Sequence, residues 1–137
     1  MIQVLNKKSE QVRANTMVYT PHIRFSNDRS IMFNAGAMQL CNMQAGKYVH
    51  FIILNERTWC FKINNDPSGF KICPTTKKGS NVRVSAQGII RIFREKTSHP
   101  LPSSFYIQHN KGATHDGEDI FEILTHKPIE EFRKVKV

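Results

Sequence analysis

RSIMFNAGAMQLCNMQAGKYVHFIILNERTWCFKIN, residues 29–64, reads as one strand–helix–strand–strand unit. Ser30 to Phe33 alternates with the period of two expected of a half-buried strand. Asn34 is a small polar residue of the kind that caps a helix. Ala35 to Met43 supplies that helix, with Ala37, Leu40, Cys41 and Met43 on one apolar stripe. Ala45-Gly46 ends it, because glycine reaches left-handed backbone at a helix C-terminus. Lys47 to Leu54 is the strongest strand of the chain, pointing Val49, Phe51 and Ile53 one way and Tyr48, His50, Ile52 and Leu54 the other. Asn55-Glu56-Arg57 turns it into Thr58 to Asn64, where Trp59, Phe61 and Ile63 face inward.

The same order recurs downstream. NVRVS (81–85) is a strand, AQGIIRIFREK (86–96) a helix, and SSFYIQHN (103–110) and DIFEILT (119–125) are two strands. Ser85 stands before Ala86 as Asn34 stands before Ala35. The chain therefore reads as one domain, 1–137, with an internal repeat over 22–73 and 81–126. Around that frame, HIRF (22–25) and residues 30–33 make a hairpin about the SNDR turn. Phe70 and Ile72 flank Lys71 in a further strand, and Pro74 to Asn81 is a polar connector. HNKGATHDGED is a long hairpin loop. QVLN and MVYT in the first twenty residues are candidate edge strands. Lys127-Pro128 is expected to open a terminal helix over 128–136, with Glu130 and Glu131 at its positive end. The fold class is α+β: a curved antiparallel sheet from two β-α-β-β-like repeats, with helices packed on one face.

Composition narrows the class of function. The net charge is +9, and residues 74–99 alone carry +5. Clustered Lys and Arg point to a polyanionic partner, since neutralising phosphates releases counterions. Three cysteines, Cys41, Cys60 and Cys73, show no C-x-x-C spacing, so they read as small buried hydrophobes in a reducing, cytoplasmic setting. No apolar run is long enough for a membrane span. No nucleophile elbow, H-E-x-x-H or phosphate-loop signature occurs, so an enzyme is not expected. His109, His115, Asp116, Glu118 and Asp119 share one loop, which lacks the rigid supports a metal site needs; neither metal nor cofactor is expected.

Sorting strand residues by face is the most specific step. One face gathers Ile23, Phe25, Ile31, Phe33, Val49, Phe51, Ile53, Trp59, Phe61, Ile63, Phe70, Ile72, Val82, Val84, Phe105 and Ile107. The other holds His22, Arg24, Met32, Tyr48, His50, Cys60, Lys62, Lys71, Arg83, Tyr106 and Gln108, without a carboxylate. Antiparallel sheets routinely show water a polar face. Rings mixed with cations suit a more specific task, stacking bases and holding a phosphate backbone. The expected function is non-enzymatic binding of single-stranded DNA or RNA. Arg24, Lys62, Lys71 and Arg83 would contact phosphates, Tyr48, His50 and Tyr106 would stack, and Lys77 and Lys78 would add a basic edge.

Two resemblances bear on this. RSIMFNAGAMQLCNMQAGKYVHF resembles the strand–helix–strand core of AbrB-like (swapped-hairpin) DNA-binding regulators, through Arg29, Ile31, Phe33, Leu40, Met43, Gly46 and Val49. It departs from that family at Asp28, at Asn34 and in lacking a helix arginine. That resemblance implies a homodimer gripping duplex DNA through Arg24, Arg29 and their neighbours. The element order is similar to a circular permutation of the paired four-strand–helix units of Whirly and Pur-alpha-like proteins, which implies single-stranded DNA or RNA. A third reading is a structural or interaction module of a phage or mobile element, whose positive charge serves solubility or an acidic protein partner.

Overall fold

The computed structural model describes residues 20–75 and 81–129. Its first half runs β1 (His22–Phe25), β2 (Ser30–Phe33), α1 (Ala35–Cys41), β3 (Tyr48–Leu54) and β4 (Thr58–Asn64). The second runs β5 (Phe70–Lys71), β6 (Cys73–Pro74), β7 (Val82–Ser85), α2 (Gln87–Thr97) and β8 (Ser103–Gln108). A small hairpin, β9 (Thr114–His115) and β10 (Glu118–Asp119), precedes β11 (Phe121–Pro128). Neither helix is long and apolar enough to cross a membrane. The fold is α+β, built on a curved, nearly closed antiparallel sheet of nine strands in the order β5-β3-β4-β11-β8-β1-β2-β7-β6.

The two ends of that sheet belong to one stretch of chain. β5 pairs with β3, and β6 pairs with β7, with Ile72 between them. The Ile72 N–H donates to the Lys47 carbonyl at 2.8 Å, and its carbonyl accepts from the Gly46 N–H at 3.1 Å. Residues 70–74 thus bridge the two ends of the sheet and bring it close to a closed barrel.

The halves are wired alike. The β1·β2 pairing has its counterpart in β6·β7, β1·β8 in β5·β3, and β3·β4 in β8·β11. Antiparallel β2·β7 and β4·β11 ladders join one half to the other. By this wiring the second half starts at Phe70, earlier than the repeat boundary expected from sequence.

All sixteen residues assigned to the inner face lie in the core or pack against it; Phe51, Ile53, Ile63 and Phe70 are the partly buried ones. The helices lie on this core side too. Because they follow the antiparallel strands β2 and β7, closure sends them to opposite ends of the barrel. From α2, Phe93 enters the core. Its ring stacks on Phe25 with centroids 3.9 Å apart and meets Trp59 and Phe105 edge-on at 5.2 and 5.4 Å.

Several local expectations are corrected. α1 stops at Cys41 because Asn42 takes the left-handed position (φ 52°), ahead of Gly46. Leu40 sits outside the buried stripe and is exposed, while Ala37, Cys41 and Met43 are buried. Ser85 does not cap α2: it pairs with Ser30 in the β2·β7 ladder, and Ala86 occupies the cap without a side-chain bond. In the β1–β2 turn Arg29 takes the left-handed backbone (φ 87°). The 109–119 loop contains a hairpin, turned at Asp116 (φ 52°) and Gly117 (φ 79°). Lys127 and Pro128 lie in β11, so no helix opens there. The rest of that expected helix, the candidate edge segments before Thr20, and Lys77 and Lys78 lie outside the described residues.

Asn34 ties the first half together. Its buried side-chain oxygen accepts from the N–H groups of His22 and Ala37, both at 2.9 Å. Its amide nitrogen donates to the Thr20 carbonyl at 2.7 Å and approaches His22 Nδ1 at 3.0 Å. One side chain therefore caps α1 and fixes the start of β1. Asn34→Ala is expected to lower unfolding free energy by about 2–3 kcal/mol, a lost cap plus unsatisfied buried groups. Asn34→Asp keeps the acceptor but loses the donors, and should fall between the two. Urea melts of the three proteins test this; equal stability of Asn34→Ala and the parent would contradict it. Phe93→Ala empties the centre of the aromatic cluster and should cost about 3–5 kcal/mol in the same assay.

Candidate nucleic-acid interface

Closure decides where the polar face goes. It becomes the outside of the barrel and is convex, with successive strands turning the surface by about 45° on an eight-rung ring. The candidate residues therefore divide into two groups on different walls.

The first group lies on β8-β1-β2-β7. Register places Ser104, Arg24, Met32, Arg83 and Cys73 in one cross-strand row, and His22 opposite Tyr106 in the next. Met32 and Arg83 face each other where the two halves meet. No residue of these four strands carries a carboxylate. Arg24, Met32, Arg83, His22 and Tyr106 are each half-buried. The Arg83 guanidinium donates to the Ser85 hydroxyl at 3.3 Å. Burial is the main reason the His22 pKa lies below its ordinary value, with Arg24 adding repulsion. At neutral pH His22 thus offers a ring rather than a charge. Arg29 sits exposed in the turn at one end of this wall, beside the start of α2.

The second group lies on β5-β3-β4. Tyr48 faces Lys71 across β3·β5, the counterpart of the Tyr106–His22 pair. Lys71 is exposed and Tyr48 half-buried. His50 faces Lys62 across β3·β4, and both belong to a local polar network. His50 Nε2 is 2.8 Å from Asn64 Oδ1, and the Asn64 amide donates to Glu118 at 3.2 Å. Gly69 permits this placement: a Cβ there would lie 2.7 Å from the His50 ring and 2.8 Å from the Val49 carbonyl.

Lys62 does not join the first wall. It is 8% exposed, its ammonium lies 3.0 Å from Glu118 and it contacts His115 Nδ1 at 3.2 Å. The β9–β10 hairpin thus folds over it and neutralises it. The other loop groups are engaged locally: His109 lies 3.7 Å from Asp119, and His115 lies 3.6 Å from Asp116. Cys60, on the same face, is buried beside Glu122, and burial pushes its thiol up to about 11. Among the described residues no cluster of three or more His, Cys, Asp or Glu side chains is arranged to hold a metal ion.

Two arginines missing from the expected site, Arg91 and Arg94, line a cleft with Arg29. Their i, i+3 spacing on one helix, with Arg29 just before the paired strand, was the available signal.

No family model, curated protein or solved structure matches the chain.

Hydrogen bonds from Lys62, then Asn64, hold the Glu118 carboxyl below its ordinary 4.5. A depressed carboxylate stabilises the fold above its unfolded value and loses that contribution as pH falls through the folded one. The β9–β10 hairpin should therefore loosen as pH drops below about 4.5. Amide exchange of residues 114–119, followed from pH 6 to 3 and corrected for intrinsic rates, is expected to rise there. The rise should be absent in Glu118→Gln, whose hairpin is already loosened; unchanged protection in the parent would contradict the account.

Proposed function

We propose that this protein binds nucleic acid, single strands preferentially, along the outer wall formed by β8, β1, β2 and β7. The observation that carries this is the acid-free cross-strand array of Arg24, Met32 and Arg83 beside the Tyr106–His22 pair. The two guanidiniums would hold phosphates, for which their planar donor forks are well matched. Tyr106 and the neutral His22 would offer surfaces on which bases stack, and Met32 an adaptable apolar contact between the two arginines. Arg29 would extend the cationic track at one end. Lys71 and Tyr48 lie on the far flank, where one strand would reach them only by wrapping the barrel. Lys62 plays no part, its charge being matched by Glu118. Binding of this kind involves no covalent chemistry, and the reading is of a non-enzymatic module. The barrel closes within one chain, so the proposed surface needs no second copy to complete it.

Fluorescence anisotropy with a labelled single-stranded 20-mer across 50–200 mM salt tests the reading. About three phosphate contacts predict a log–log slope near −2. Arg24→Gln with Arg83→Gln should weaken binding at least tenfold and flatten the slope by about 1.4. Tyr106→Ala should cost about 1–3 kcal/mol of affinity. Affinity that stays flat with salt would contradict the proposal, and tighter binding to duplex would favour the regulator-like alternative. Thermal melts of each variant separate lost binding from lost folding.

A further inference from the structure

We propose that the cleft between the β1–β2 turn and α2 is a phosphate-binding site clamped by Arg29, Arg91 and Arg94. The cleft measures about 780 Å³, with Asn27 and Gln87 adding side-chain amides and the apolar Ile90 and Leu101 completing its lining. That volume exceeds the needs of one phosphate and admits a nucleotide-sized group.

Three features favour an anion here. The arginines come from two separate elements yet converge on one cleft, and Arg91 and Arg94 are like charges on neighbouring turns of α2, an arrangement that is unfavourable unless something answers it. Two carboxylates, Asp28 and Glu95, also line the cleft. Among the described residues no ion pair joins either to any of the three arginines, and although Glu95, four residues after Arg91 on the helix, offsets part of the charge, three cations against two anions leave the lining positive. The Asp28 carboxylate instead takes the Ser26 hydroxyl and, at 3.2 Å, the Ser30 N–H, bonds that hold its pKa below the ordinary value. Its position serves the turn.

The third feature is how Arg29 is held. It adopts left-handed backbone (φ 87°), which disfavours side chains other than glycine, asparagine and aspartate. Its carbonyl accepts the Ala86 N–H at 3.0 Å, which locks the turn onto the start of α2. A guanidinium mounted on a fixed turn, opposite two on a rigid helix, is a preorganised set of donors for phosphate oxygens. Surface arginines serving only solubility need no such fixture.

The phosphate has two sources. One is the backbone of a strand lying on the adjoining wall, which would deepen the proposed function; the other is a free nucleotide or pyrophosphate. Isothermal titration with a single-stranded 20-mer, uridine triphosphate and inorganic pyrophosphate distinguishes them. The parent is compared with the cleft variant Arg91→Gln/Arg94→Gln and the wall variant Arg24→Gln/Arg83→Gln. Both pairs of changes leave the core untouched, and melts confirm folding.

The proposal expects at least one probe to bind the cleft variant at least fivefold more weakly than the parent. Loss confined to the 20-mer identifies the strand; loss of pyrophosphate and triphosphate identifies a free phosphate. Binding of pyrophosphate without any binding of the 20-mer keeps the cleft and overturns the nucleic-acid reading. A 20-mer that needs the wall while every probe binds the cleft variant within fivefold of the parent keeps that reading and overturns the cleft. Failure of all three probes to bind overturns both.

Discussion

The backbone of Ile72 bonds to Lys47 and Gly46, and most of the molecule's organisation follows from that junction. Without it the strands would form an open sheet with two faces and two edges. With it there is an inside and an outside. The inside admits apolar groups, so each inward residue is committed to the core, and the helices must plug the ends. The outside is convex. A partner of the sheet's outer face is therefore met on a curved wall. That geometry separates Arg24 and Arg83 from Lys71 and Tyr48, although all four share the outward parity of their strands.

The like wiring of the two halves concentrates difference where it matters. Met32 and Arg83 pair where the halves meet, and an aromatic ring faces a nitrogenous side chain on either flank, Tyr106 with His22 and Tyr48 with Lys71. Helix starts differ: Asn34 satisfies α1 with its own side chain, while α2 begins at an uncapped Ala86. Charge differs too. α1 carries no charged side chain, whereas α2 brings Arg91 and Arg94 toward the β1–β2 turn. The cationic surface is therefore lopsided on a framework whose ladders correspond pair by pair.

Much of the framework was legible in the sequence because strand periodicity is local. Alternation in HIRF, SIMF, TWCFKIN and VRVS identified the core face residue by residue, since a shift of one would expose every phenylalanine. Closure was not legible. It depends on the two-residue strands on either side of Ile72 pairing in opposite directions along the chain, back to β3 and forward to β7, and nothing in FKICP marks that. The fate of Lys62 had a readable sign that was passed over: Asp116-Gly117 is a strong two-residue hairpin signal, and that hairpin delivers Glu118 and His115 to the lysine. Ser85 misled because a small polar residue before a helix caps it only when not already committed to a ladder. The arginine cleft was legible only in part: the i, i+3 spacing of Arg91 and Arg94 can be read, whereas the Ala86–Arg29 bond that fixes Arg29 beside them is a tertiary contact.

A nitrogen-15 correlation map of the protein titrated with a single-stranded oligonucleotide at low salt tests the central claim most directly. The account predicts shifts concentrated on the backbone amides of His22, Arg24, Met32, Arg83 and Tyr106, with Cys60 and Lys62 on β4 unmoved. Shifts centred on β3, β4 and β11, or no shifts at saturating oligonucleotide, would contradict it.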